Sequence, residues 1–514
     1  MNTPSRPTVT RTALAALRIV VVAGAAGGVI QAAHATSWTA DLSTVATAQG
    51  AASAATALTR STVICPGGEL SGIQGVKDIA VPARIAAAAA PADLVRTLLG
   101  RAPGAGTLGI GATGGPGVAA GPGSAAGPGA GATTTSRATI AADAPASGAA
   151  QVTGAGGLAP GIVATQEWRA DGLDLRGLVS VACGAAVNDA WFVAGGGDPG
   201  RQERLVLVNP GANVVTADIA LLGAAGPIVS PNGNDVVVPA RGRATVLLDA
   251  ISSAEKTPVV HVRTAGGLVY AAVNDTWTDG SVAAGSDDVS PAAAPATSVV
   301  IPAVAVGGTT RVRVAVPGTH DAVVQVRTID TGGGSPLPRG GVATIRAGSV
   351  GEFDLSGLAA GTYAVQVTAD EPVVAGAIAI RRDQAGPGDF AWSSATAPIS
   401  QVAGLAFVPT SGAGALTRVL TLVSSGDPAT VEVTTVDAAG AATVASVKVP
   451  ADSTASVALP AGTSQVWVRR TAGDGDVRGA VVSTGGSGPT QLIATTPLAS
   501  APLTTLTTRV LPLP

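Results

Sequence analysis

Two cysteines, three histidines and one dense group of aspartates are the residues of this chain best suited to chemistry. Cys65 and Cys183 have no third cysteine to compete with them and no histidine close in sequence to either, so a metal pair lacks its other ligands. In an oxidising compartment two thiols with none left over favour a disulfide. Two buried free thiols are the alternative. Among the histidines, His34 lies near the N-terminus, His261 on an alternating apolar stretch and His320 in a turn. No serine-hydrolase elbow, zinc-protease pair, Walker loop or dinucleotide fingerprint occurs in the strand–helix context that each requires. Asp275, Asp279, Asp287 and Asp288 crowd a glycine-containing stretch. Calcium between tandem β modules is one use of such a group. A solvated turn is the other, and the spacing of an EF-type loop is missing. The sequence thus offers no catalytic residue, metal site or cofactor motif.

Tryptophan is the remaining signal. Trp168, Trp277 and Trp392 fall near similar points after long alternating stretches, and Trp191 stands in "DAWFVAGGG". Such residues serve either as a binding surface, a sugar platform for instance, or as packing at joints between modules; coincidence is the third reading. Aromatic residues make up only 2% of the chain and charged residues 12%, about half the usual charged content of a soluble domain. Thirty basic against 33 acidic residues leave a net charge of -3, which gives nucleic acid no basic face.

The elements that must position these residues read as short strands. "RLVLVNPG" begins at Arg204, "RVRVAVPG" at Arg311 and "RVLTLVSSG" at Arg418, each 107 residues after the last. About seven stretches of period-two alternation follow in each copy, broken by Gly, Pro, Asn and Asp turns. The size is that of one immunoglobulin-like sandwich; two propeller blades per repeat is the competing architecture. The expected fold is all-β, with modules at 204–303, 311–409 and 418–514. Residues 36–203 read as a fourth, degenerate module. Residues 101–157 within it, rich in Gly, Ala and Pro with "GPG" at 115, 121 and 127, read as an insert unable to offset its own ordering entropy. Residues 1–35 combine Arg6, Arg11 and Arg18, the apolar run Ile19–Ile30 and Ala33-His34-Ala35, which is the order of a secretory signal or, uncleaved, of a membrane anchor helix.

"VICPGGE", "EWRADG", "RGLVSVAC" and "AWFVAGGGDPGRQERLVLVNP", with the repeats, resemble an actinobacterial family of secreted or membrane-anchored proteins catalogued as a domain of unknown function. Genes of that family tend to lie beside one for a large membrane glycosyltransferase, so the resemblance implies work at the cell envelope. It carries no catalytic residue over. The expected role is a non-enzymatic extracytoplasmic scaffold, a semi-rigid row of sandwiches binding an envelope protein or glycan, with a membrane glycosyltransferase as one partner. A carbohydrate-binding accessory of envelope polysaccharide synthesis is the second reading. Contact with the membrane is expected only through the N-terminal segment if it stays uncleaved.

Overall fold

Alternation along Val215–Gly223 sets the pattern for the whole molecule: Val215, Ala217, Ile219 and Leu221 are buried while Asp218 and Ala220 face out. Strands of this kind bury one face only, so each sheet needs a second sheet against it. A computed structural model describes residues 54–507 apart from 69, 72, 74–77, 114–132, 146–147, 253–254, 384–385, 411–413 and 489–490. The signal or anchor segment 1–35 lies outside the described residues. Those described are mainly strand, with the strands of each sheet named below paired antiparallel.

The strands form four two-sheet sandwiches, and the chain threads each in the same way. In the second sandwich one sheet runs Asp189–Val193, Val259–Ala265, Val215–Gly223, Gly226–Ile228, with Val236–Val238 on the same strand. The other runs Arg243–Leu247, Arg201–Val208, Tyr270–Asp279, Val282–Val289. The chain passes back and forth between the sheets several times, so neither sheet is a contiguous piece of sequence, as a propeller blade would be. The third sandwich repeats this order, except that two strands are joined in one element, Gly361–Arg382, that crosses between sheets near Asp370–Pro372. The fourth repeats it from Ala403–Ala406 to Leu492–Pro497.

Two expectations need correction. The stretch 101–157 is not a disordered insert where it is described. Gly106–Ala112, Thr133–Thr135, Thr139–Asp143 and Ala150–Gly156 are strands of the first sandwich, occupying the places that the threading order requires. Leu108, Ile110, Ala150 and Val152 give the alternation, and small neighbours let the sheets close: a Cβ on Gly154 would stand 2.3 Å from the carbonyl oxygen of Leu158. Average composition hid a pattern carried by a few apolar residues. The "GPG" repeats at 115, 121 and 127 lie outside the described residues.

Module boundaries also move. Ala296–Val306, read as the end of the 204–303 module, hydrogen-bonds within the third sandwich, and Ala403–Ala406, read within 311–409, within the fourth. Arg201–Val208 crosses the boundary placed between 203 and 204. A period fixes the spacing of units but leaves their phase open. Each sandwich in fact opens one strand before the arginine that marks its copy.

The sandwiches do not stand in a row. Thr56–Thr505 is one compact unit, in which the last strands of the four sandwiches, Arg176–Ala182, Val282–Val289, Gly388–Ser394 and Leu492–Pro497, pack cyclically against each other. One sheet of each sandwich therefore radiates from a common axis. Closure depends on the chain's late residues: Gly161 N–H donates to Pro502, Leu58 N–H to Leu503, and Ala501 and Leu503 share a core with Ala86, Ala88 and Val163.

Candidate functional site

At the axis the backbones approach so closely that side chains must be absent on some strands. A Cβ on Gly285 would lie 2.6 Å from Phe390 Cδ1 and 2.9 Å from Asp389 Cα; one on Gly177 would lie 2.8 Å from the carbonyl oxygen of Ser286. Asp389, wholly buried, fills the space this leaves. Its carboxylate accepts the backbone N–H of Leu178 at 3.1 Å, Ser286 at 3.4 Å and Ile493 at 2.9 Å, one from each of the other three sandwiches. A single carboxylate thus satisfies amides that the meeting strands cannot pair among themselves.

A second polar cluster joins the second and third sandwiches. Glu203, Asp275 and Asp287 are cross-strand neighbours on three adjacent strands. Arg201 makes a two-armed pair with Asp275, at 2.9 and 2.6 Å. From the third sandwich, Trp392 donates its backbone N–H to Asp287 at 2.6 Å and its indole N–H to Asp275 at 2.7 Å. Arg313 pairs with Glu352 and donates to the carbonyls of Gly195, Pro258 and Lys256. Phe390 and Trp392 flank the Arg201 guanidinium, at 5.2 and 5.8 Å. Between first and fourth sandwiches, Arg418 grips both carboxylate oxygens of Glu167.

Burial dominates the acid–base chemistry here. It pushes Glu203 up to about 9, helped by the nearby Asp275 and Asp249 carboxylates. It pushes Asp389 up to about 7 against the pull of its amide donors, and raises Asp287 well above the carboxylate range. Glu167 is also raised, burial outweighing Arg418. The folded chain therefore holds protons that the unfolded chain gives up between ordinary carboxylate pKa values near 4 and the raised ones. That contribution to stability is complete below the unfolded values and is lost as pH rises through about 7 and 9. His261, lowered by burial, opposes it weakly on the acid side. We expect the thermal midpoint to be higher near about pH 5 than near about pH 8, with Asp389→Asn and Glu203→Gln flattening the slope. A wild-type midpoint that climbs over that range would contradict this account.

Cys65 and Cys183 are joined in a disulfide with Cα atoms 4.5 Å apart, both buried. Trp168 is buried against Ala83 and Val179, and Trp392 in the second–third joint. Trp277 is half-buried between Arg201 and Arg382. The three do not share one repeated position: Trp168 and Trp277 lie on next-to-last strands, Trp392 on a last strand. Trp191, nearly buried, stacks on His261 at 3.8 Å, and His261 Nε2 lies 3.0 Å from Asp189.

The acidic group is not a solvated linker turn. Asp275, Asp287 and Asp288 are buried on strands, and only Asp279 is exposed, paired with Arg382. No group of metal-ligating side chains occurs among the described residues. Asp389, Arg201, Glu203 and Arg313 were not anticipated. The signal for Asp389 was weak, a lone aspartate in "GPGDFAW" that reads as a turn.

A family model described as "Family of unknown function (DUF5719)" matches residues 134–460. No curated protein matches the chain. Among solved structures, the Streptomyces avermitilis alpha-L-rhamnosidase complexed with L-rhamnose is 10% identical at a TM-score of 0.12, covering 76% of this chain and 54% of that one. This chain thus spans about half the length of that structure. A tetra-tandem repeat from the extending region of a large adhesion protein is 14% identical, covering 78% of this chain and 93% of that one, with a TM-score of 0.10. Paenibacillus xanthan lyase is 10% identical over 69% of this chain and 43% of its own, with a TM-score of 0.09. Likeness at this level identifies no shared fold or activity.

Proposed function

Because the chain belongs to that family of unknown function, its role must be read from its own residues, and we propose that it acts by binding, as a non-enzymatic interaction protein outside the cytoplasm. The observation that carries this reading is the use made of its carboxylates. Asp275, Asp287, Asp389, Glu203 and Glu167 are each buried and tied to an arginine or to a backbone amide. A catalytic acid or base has to reach a substrate; Asp275, Asp287, Asp389 and Glu167 instead hold neighbouring sandwiches together, and Glu203 is tied within the second. The extracytoplasmic placement rests on the disulfide and on the signal-like order of residues 1–35. Among the described residues no helix is long and apolar enough to cross a membrane.

The partner in this reading is an envelope protein, a membrane glycosyltransferase being the first to look for. Affinity purification of the full-length chain from membranes should bring such a protein with it, and the purified chain should turn over no cell-wall glycan or peptide. Turnover abolished by Asp287→Asn or Glu203→Gln would overturn the reading. A second reading, glycan binding, has Trp277 in its favour: its half-buried indole lies between two guanidinium groups, within 5.8 Å of Arg201 and 5.3 Å of Arg382. Retention on a glycan array that Trp277→Ala removes would decide for it.

A further inference from the structure

Several arginines in the joints of this molecule are paired with a carboxylate: Arg201 with Asp275, Arg313 with Glu352, Arg418 with Glu167, Arg382 with Asp279. Arg381 differs from these. It lines a cavity of about 240 Å³ between the third and fourth sandwiches, and no described carboxylate lies within ion-pair distance of it. One arm of its guanidinium is anchored, Nη2 donating to the carbonyl of Ala305 at 3.1 Å; Nη1, itself buried beside Gly307, meets no acceptor. Burial alone depresses its basicity.

The chain makes room for this unpaired cation. A Cβ on Gly307 would stand 2.6 Å from Nη1, and one on Gly308 would stand 2.2 Å from the carbonyl oxygen of Ile380. Any side chain at either glycine would displace the guanidinium or the strand that carries it. The rest of the lining is mainly apolar, Val306, Val419, Val482 and Ile493, with Thr362 and Thr484 as the hydroxyl-bearing residues. A half-buried cation with no counter-ion is costly in the folded state, and the cost disappears when an anion arrives.

We propose that this cavity binds a small organic carboxylate, its anionic end on Arg381 and its apolar body against the valine and isoleucine walls. A single guanidinium matches a single negative charge, and guanidinium–carboxylate pairing is directional and strong where water is thinned. A dianion such as phosphate would keep one charge unmatched, since Arg381 is the one charged residue in the lining. The proposal is independent of the macromolecular partner proposed above.

Isovalerate is a suitable probe, and isovaleramide its neutral control. Calorimetric titration of the full-length chain should give saturable binding of isovalerate, with the amide weaker by at least about tenfold. Arg381→Gln should lose at least as much affinity while melting no earlier than wild type without ligand, because it removes an unpaired charge. Val482→Phe, which fills the cavity and keeps the arginine, should abolish binding too. Three results would overturn the proposal: no saturable binding by wild type, equal binding of the amide, or undiminished binding by Arg381→Gln.

Discussion

Asp389→Ala should destabilise the protein by about 3–6 kcal/mol, among the largest effects a single substitution here can have. The carboxylate accepts backbone N–H groups from three other sandwiches in a position closed to water. Each buried donor left without an acceptor costs about 1–3 kcal/mol, and the methyl of alanine offers none. The loss falls on the joint rather than on any one core, so the melting curve should split as well as shift. Asp389→Asn keeps one acceptor oxygen and should cost less than alanine. Chemical denaturation of wild type and both variants at one pH checks the order. An alanine variant with the wild-type midpoint and a single transition would mean that the four last strands hold together without the aspartate.

The disulfide is the second large contributor. Cys65 and Cys183 are 118 residues apart in sequence, and the loop between them contains almost all of the first sandwich. Closing a loop of that length lowers the entropy of the unfolded chain by an amount worth roughly 4–5 kcal/mol in the chain-entropy model. Ile64 and Gly184 exchange backbone hydrogen bonds beside the bond, so it fastens the entering strand to the exit toward the second sandwich. Replacing both cysteines by serine, or reducing the protein, should lower the unfolding free energy of the first sandwich by roughly 4–5 kcal/mol. Thiol labelling of unreduced, denatured protein should find no free cysteine. Stoichiometric labelling of both would remove the bond from this account.

The all-β class and the repeat were legible because period-two alternation is local. Arg204, Arg311 and Arg418 each stand on the second strand of a sandwich, and the 107-residue spacing between them could be read directly. Phase was not legible, because a periodic sequence carries no mark of where a unit starts. The strands at Gly106–Ala112 and Ala150–Gly156 were lost to composition: Leu108, Ile110 and Val152 are too few to lift an average dominated by Gly and Ala. The polar joints were hidden for a different reason. Asp275, Asp287 and Asp389 stand near glycines, and an aspartate beside glycine is ordinarily a turn residue whose carboxylate serves the local backbone. Here the amides it serves are more than a hundred residues distant, Leu178 being 211 positions from Asp389. Convergence of that kind comes from cyclic packing, which no local window reports. The disulfide was readable from the cysteine count together with the signal-like N-terminal segment, since two cysteines in an oxidising compartment allow one pairing.

Ring closure through residues 499–503 has a consequence in time. A chain emerges from the ribosome N-terminus first, so the first sandwich is made long before the segment that completes it. Ala86, Ala88 and Val163 wait for Ala501 and Leu503, and the amides of Leu58 and Gly161 wait for the carbonyls of Leu503 and Pro502. Until those last residues arrive, the earliest-made sheet has an unfinished apolar face, the kind of surface that invites misassembly in large β proteins. The disulfide needs only residues up to 183, so it can secure the first sandwich throughout that interval. The covalent bond is an early fastening, and the packing of the late segment is the final one.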